Sequence, residues 1–252
     1  MTMIARLLPQ TLAIPLFGDR KRYGPVPVQD DPDWIAWQKE YLNFYSSTQK
    51  SGAGARVNDA GYKVLKRVSL EGRSVGEIGP GSLPHRDFWQ GRPKHFTAFD
   101  INPDFLEISE AAAGCSFEGI QVAPNQTTLP IADNSLDFLL SFYSLEHLHP
   151  LGEYLDDYAR CLAPGGQLVG AIPNEGGLAW GLGRFLTSRR WIHKNTEINY
   201  DKIICWEHPN FADTIIADLD KRFTRRHLSM YPALGTFGQN ATLITRFIYE
   251  KA

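Results

Sequence analysis

Cysteine is scarce in this chain of 252 residues: Cys115, Cys161 and Cys205 stand far apart, and no two form a CxxC pair. That excludes a disulfide scaffold and a cysteine-based zinc site, and it suits a reducing compartment. Long apolar runs are missing too, with no stretch of about 18 residues that could span a bilayer. Neither sign of charge dominates: 26 Lys and Arg against 28 Asp and Glu leave a formal charge of −2. No global basic field therefore draws the chain to nucleic acid. Internal repeats and low-complexity tracts are absent. What remains is ordinary globular composition, 43% hydrophobic and 21% charged. The length suits one large domain or a standard domain with a lid.

The start, Ile4 to Phe17, is mildly apolar, but Pro9 and Pro15 interrupt it and no small-residue cleavage site follows. It reads as a packed arm rather than a signal peptide, and the expected location is the cytoplasm. The segment to about Asp33 reads as Pro-rich and irregular. Trp34, Trp37, Tyr41 and Phe44 recur at helical intervals and predict a helix packed on a core. Ser51–Ala55, rich in Gly, Ala and Ser, leads into a further helix ending near Val68. From Ser74 strands and helices alternate. Strands are expected at Ser74–Ile78, at His95–Phe99 closed by Asp100, near Phe117–Val122, at Leu136–Phe142 and at Gln167–Ile172. Helices are expected at about Pro103–Ala113 and Leu151–Leu162, the latter stopped by Ala163-Pro164-Gly165-Gly166. Such alternation implies right-handed crossovers and a doubly wound α/β sheet, with ligand at the carboxyl ends of the strands. After Asn174 the pattern breaks: an insert over about 175–222 precedes candidate strands at Phe223–Tyr231 and Ala241–Tyr249, read as an antiparallel edge hairpin. A connection of that length suits a substrate lid. The chain thus divides into an arm and helical cap over 1–55 and a main domain over 56–252 that carries the insert.

Chemistry concentrates at strand ends. Gly79 and Gly81 in Glu77-Ile78-Gly79-Pro80-Gly81 allow a sharp turn and a close approach of backbone to ligand. A dinucleotide fingerprint would need a third glycine where Pro84 stands. Glu77 would repel a pyrophosphate but suits an ammonium or sulfonium group. Asp100, 21 residues beyond Gly79, presents two carboxylate oxygens that can accept both hydroxyls of a ribose.

In order along residues 56–174, these elements resemble the class I S-adenosylmethionine-dependent methyltransferases, of the type 11 and ubiquinone-pathway kind. Glu77-Ile78-Gly79-Pro80-Gly81 is similar to their E/D-x-G-x-G motif, and Asp100 to their ribose-binding acid. Leu129–Asp137 resembles the L-P-F-x-D-x-S-F-D stretch, Leu145-Glu146-His147 the L-E-H, and Leu162–Gly166 the L-x-P-G-G turn. Ile172-Pro173-Asn174 matches the end of the fifth strand. The resemblance implies a Rossmann-like seven-stranded sheet, mostly parallel with an antiparallel final hairpin, and S-adenosylmethionine as cofactor. It further implies that Gly79 and Gly81 line the methionine part and ribose, and that Glu77 acts on the amino end. Asn125 would stand near the adenine, Gln126 would offer its backbone N–H to the ring, and Phe142 its backbone to the methionine portion. Two positions depart from the family: Leu83 replaces the third glycine of the loop, and Asn125 replaces an acid.

Methyl transfer mainly requires acceptor, methyl and sulfur held in line, and a hydroxyl acceptor gains from a general base. His147 is the candidate base, with His149 second. Ubiquinone-pathway O-methyltransferases carry a metal on E-x-x-E-H, but Tyr143 occupies the first acid's place here, so no essential metal is expected. In the insert, Arg184, Arg189, Arg190 and Lys194 are interleaved with Trp180, Phe185, Trp191 and Ile192. They suggest a cover for an anionic acceptor, a helix touching a membrane surface, or a solvated basic face. Glu207 and His208 are further acceptor candidates. Lids of this kind resemble those of methyltransferases in bacterial sugar and surface-polysaccharide pathways, and imply a small-molecule or glycan acceptor methylated on a hydroxyl. The competing readings are an NAD-dependent oxidoreductase or epimerase and a silent S-adenosylmethionine-binding protein. Nucleic acid is disfavoured by the charge balance and by Asn174-Glu175 in place of the N/D-P-P-Y/F tetrad. Acceptor identity and oligomeric state stay open.

Overall fold

A computed structural model of the protein describes residues 2–44, 52–233 and 235–252. Seven strands make one sheet: β1 (Ser74–Ile78), β2 (His95–Asp100), β3 (Ser116–Gln121), β4 (Leu136–Phe142), β5 (Leu162–Pro173), β6 (Thr224–Tyr231) and β7 (Ile244–Glu250). Their order is β3-β2-β1-β4-β5-β7-β6. The first five run parallel, whereas β7 lies antiparallel between β5 and β6. The apolar run of β4 follows from this placement. A central parallel strand is covered on both faces, so Leu139 and Leu140, which point opposite ways, are both fully buried. Order reverses between β1 and β4, where β1 pairs with β2 on one side and β4 on the other. Ligand crevices in doubly wound sheets open at that point.

Among the described residues ten segments are α-helical: α1 (Gln10–Phe17), α2 (Arg20–Tyr23), α3 (Pro32–Phe44), α4 (Gly52–Tyr62), α5 (Pro103–Ala113), α6 (Leu151–Cys161), α7 (Leu178–Arg184), α8 (Arg190–Asn195), α9 (Tyr200–Glu207) and α10 (Ala212–Arg222). Local signals fix α5 at both ends. The Asn102 side chain accepts from the Asp104 N–H at 3.0 Å, Pro103 opens the first turn, and Gly114 closes the helix at φ 65°. On one face of the sheet Leu155 and Tyr158 of α6 and Ile215 and Leu219 of α10 join a single buried core. On the other face Leu106 and Ala113 of α5 pack with Val75, Phe96 and Leu140. Each Leu, Ile, Val or Phe side chain fully buried in this way contributes about 1.5–3 kcal/mol.

The structure amends several expectations. The stretch before Asp33 is largely helical; Pro9 caps α1 and Pro15 lies inside it. Strand β5 begins at Leu162, five residues early, because the Pro164-Gly165-Gly166 turn falls within it as a register shift between the Leu136 and Phe138 pairings. The arm and the insert are also not separate units. Trp37 of α3 shares a core with Ile192, Tyr200, Ile203, Ile204 and Trp206 of the insert. The last part of the expected lid, α10, packs against α6 as an ordinary layer helix. Ser51 of the Gly/Ala/Ser stretch lies outside the described residues. Among the described residues no helix is long and apolar enough to cross a membrane.

Candidate active site

The turn after β1 places Gly79 at φ 64° and Gly81 at φ 57°. A Cβ on Gly79 would meet only Ser144 Cβ at 3.6 Å, so the left-handed backbone, not lack of space, calls for glycine. The Gly79 N–H donates to the Phe99 carbonyl at 2.8 Å and fastens the turn to β2. Leu83 keeps the glycine-like backbone of this loop, at φ 49°, while its side chain is 2% exposed. Left-handed leucine costs about 1–2 kcal/mol, and its burial offsets that.

Glu77 is buried at 1% exposure between the sheet and the loop. Its Oε1 lies 2.7 Å from His85 Nε2, and the Trp89 indole donates to His85 Nδ1 at 2.9 Å. With Nδ1 accepting, the neutral ring carries its proton on Nε2 and donates it to Glu77. The second oxygen, Oε2, is buried without a protein partner. A buried carboxylate oxygen left bare is expensive unless a donor is bound beside it. An ammonium ligand beside the glycine turn would satisfy it.

Asp100 ends β2 and is mostly buried. Its Oδ1 accepts from the Asn102 N–H at 2.9 Å, which fixes the carboxylate's direction. Burial and the charge of Glu77 push its pKa up, against backbone N–H groups of Asn102, Ile101 and Gly81 that pull it down. Asn125 sits exposed in the turn after β3 at φ 64°, a conformation Asn tolerates well. Gln126 departs from expectation. Its backbone N–H donates to the Ala123 carbonyl at 3.1 Å, and its side chain closes the same turn onto Ala123 N and Thr128 O. That N–H is thus spent locally. Phe142, at the end of β4, packs its ring against His85 at 4.9 Å and Tyr62 at 5.3 Å. Tyr143, at φ 57°, turns its hydroxyl to the Asn58 carbonyl of α4 at 2.9 Å.

Beyond β4 lies a second polar group. Glu146 is 2% exposed, and its Oε2 has no protein partner. Burial pushes its pKa up to about 7, against the pull of His147. His147 Nδ1 faces Glu207 Oε2 at 3.5 Å, and Glu207 accepts from the Trp37 indole at 2.5 Å. Burial favours the neutral ring, but Glu207 and Glu146 outweigh it and raise the pKa of His147 to about 9. His208, 4.6 Å away ring to ring, turns Nδ1 to Glu175 Oε2 at 3.0 Å. Burial holds its pKa below the usual histidine range, against the contact with Glu175.

Glu175, wholly buried, was not singled out by its sequence context. It accepts from Arg184 Nη1 at 2.6 Å, from the Trp180 indole at 3.0 Å, and faces Arg20 Nη2 at 3.8 Å. Burial alone would raise its pKa, but Arg184, His208 and Arg20 hold it far below the usual carboxylate range. Arg184 is therefore committed to Glu175 and cannot cover an anionic acceptor. Arg189 is likewise paired with Asp201 at 3.0 Å, while Arg190 and Lys194 stay exposed. His85 was also missed; an unremarkable histidine eight residues from Glu77 gives no signal until the loop folds back.

The family described as "Methyltransferase domain" matches residues 77–170. Over 94 residues the chain is 31% identical to the ubiquinone/menaquinone biosynthesis C-methyltransferase UbiE of Methylobacterium nodulans, a stretch covering 36% of this chain and 37% of that protein. The chain spans less than half the length of the curated relatives it matches. An S-adenosylmethionine-dependent methyltransferase from Mesorhizobium loti superposes with a TM-score of 0.54 at 13% identity, covering 77% of this chain and 100% of that one. The N-methyltransferase NodS of Bradyrhizobium japonicum, in complex with S-adenosyl-L-homocysteine, gives 0.50 at 16% identity, with 96% and 97% covered. At these identities the structural likeness establishes the fold. The sheet order and its strand-end turns define a Rossmann-like α/β fold of the kind these methyltransferase structures share. Residues 77–170, which carry the glycine turn and Asp100, are similar to the methyltransferase-domain family.

Proposed function

We propose that the protein transfers a methyl group from S-adenosylmethionine to an oxygen of a small polar acceptor, a sugar hydroxyl or a related metabolite. The observation that carries this reading is the bare, buried Oε2 of Glu77 beside the Gly79–Gly81 turn, with Asp100 at the neighbouring strand end. The bound cofactor supplies a methyl already activated by positive sulfur. Glu77 holds the ammonium end, its other oxygen being fixed by His85. Asp100 accepts the ribose hydroxyls with the lone pairs that Asn102 leaves free. Asn125 borders the adenine, and Phe142 walls the methionine portion. His147 serves the acceptor. With Nδ1 turned to Glu207, Nε2 is the nitrogen left for the acceptor; because Glu207 and Glu146 raise the ring's pKa to about 9, the neutral form that takes the acceptor's proton gains as pH rises toward that value. UbiE and NodS are described as C- and N-methyltransferases, so the oxygen acceptor is supported by this polar cluster and not by those relatives.

Calorimetric titration with S-adenosylmethionine, S-adenosylhomocysteine and NAD tests the cofactor. Micromolar binding of the first two with none of NAD is expected, and silence from both sulfur ligands overturns the reading. A panel of hydroxylated acceptors, read by formation of S-adenosylhomocysteine, then tests the oxygen.

A further inference from the structure

The polar cluster beyond β4 has features that acceptor binding alone does not require. Glu146, His147 and His208 each bring one potential ligand atom, and all three atoms lie within 4.8 Å of one another. Both histidines present Nδ1 to a carboxylate, His147 to Glu207 at 3.5 Å and His208 to Glu175 at 3.0 Å. A carboxylate behind Nδ1 fixes the tautomer and leaves Nε2 as a lone-pair donor, as in carboxylate–histidine–metal units. The carboxylates are themselves anchored by the indoles of Trp37 and Trp180. Glu146, buried at 2% exposure, directs into this group a carboxylate whose Oε2 has no partner.

We propose that Glu146, His147 and His208 form a binding site for one divalent transition-metal ion of the zinc type, through one carboxylate oxygen and two imidazole Nε2 atoms. Two imidazoles and a carboxylate are a borderline donor set that suits zinc, cobalt or nickel and is too nitrogen-rich for magnesium or calcium. Three protein ligands leave a fourth position open, as in catalytic zinc sites. A tetrahedron with bonds near 2.1 Å has edges of about 3.4 Å, so binding draws the three side chains together by roughly an ångström. The sequence alone argued against a metal because Tyr143 replaces an acid; the third ligand instead arrives from the insert, 61 positions after His147.

The inference deepens the proposed reaction and rests on it for its purpose. In the open position the ion would hold the acceptor oxygen and lower its pKa, so that the proton passes to solvent water and His147 is relieved of the role of base. Binding of the metal does not depend on that reading. The test is calorimetric titration of chelator-treated full-length protein with Zn2+, Co2+ and Mg2+, with S-adenosylmethionine affinity measured on the same samples. One zinc per chain is expected, with cobalt giving the visible absorption of a four-coordinate site and magnesium no heat. Glu146→Gln removes a ligand oxygen that makes no protein bond, and should weaken zinc at least tenfold without lowering thermal stability. Glu207→Gln, which acts through His147, should weaken it by about 10–100-fold. Absence of zinc binding, or zinc affinity unchanged in Glu146→Gln, overturns the metal site. If S-adenosylmethionine still binds in that case, methyl transfer with His147 as base stands.

Discussion

Glu175→Gln should destabilise the protein by about 3–5 kcal/mol, the usual loss when one partner of a buried ion pair is removed. The substitution preserves shape and takes away a charge that two arginines share. Arg184, 7% exposed, reaches both carboxylate oxygens at 2.6 Å, and Arg20 stands 3.8 Å away. At about 4 Å and an effective dielectric near 20, a pair of unit charges interacts by roughly 4 kcal/mol, which agrees with that range. Arg184 also donates to the Leu16 carbonyl, so the loss reaches α1 and the seam between arm and insert. For a chain of this size the melting temperature should fall by roughly 6–20 °C. Urea unfolding followed by tryptophan fluorescence reads the same loss, because Trp37, Trp180 and Trp206 lie around the seam. In Glu175→Gln/Arg184→Met, where the stranded charge is removed, part of the stability should return. A loss below about 1 kcal/mol, or no recovery in the double variant, would refute the reasoning.

Asp100→Ala should weaken S-adenosylmethionine by about 2 kcal/mol or more, roughly 30-fold in Kd, as charge-assisted hydrogen bonds to the ribose are lost; unchanged calorimetric affinity removes Asp100 from the site. Only the ionised carboxylate accepts both hydroxyls, and burial with Glu77 nearby holds its pKa above the ordinary aspartate value. Affinity should therefore fall on acidification at a higher pH than the usual value of about 3.9 implies, and titrations across pH 4–7 read this. Tyr143→Phe should cost about 0.5–1.5 kcal/mol in urea unfolding, the usual net worth of one hydrogen bond, because the 2.9 Å bond from its hydroxyl to the Asn58 carbonyl is lost. His147→Ala should reduce turnover far more than cofactor affinity, and an equal loss of both assigns it a structural role instead.

The legible parts of the fold are those whose signals are local. Ser74–Ile78, Pro103–Ala113 and Leu136–Phe142 are bounded in the structure where their patterns begin and end. Each rests on neighbours in sequence: a glycine turn after β1, an Asn-Pro start and a glycine stop for α5, an unbroken apolar run for β4. The arm was less legible because its prolines read as breakers, whereas Pro9 serves as a cap and the helices gain stability from packing on the insert. The early start of β5 was hidden for a related reason. A Pro-Gly-Gly turn normally ends an element, and here pairing of Leu162 with Leu136 extends the strand across it.

The candidate site divides along the same line. Glu77, Gly79, Gly81 and Asp100 are legible because the backbone itself brings strand ends and their turns to one edge of the sheet. Gln126 was placed on the ligand, yet its N–H is drawn into a local turn, a choice that depends on the dihedrals of four successive residues. By itself, then, the sequence determined the alternation of strands and helices, the glycine turn and the acids at the strand ends. Tertiary structure alone decided which charges meet. Arg20, Arg184 and His208 converge on Glu175, and Trp37 and His147 on Glu207, across separations of up to 170 positions. Ion pairs buried in a low-dielectric seam have no sequence period. They form wherever the packing of arm, insert and sheet leaves a carboxylate without water, and only the folded chain specifies that place.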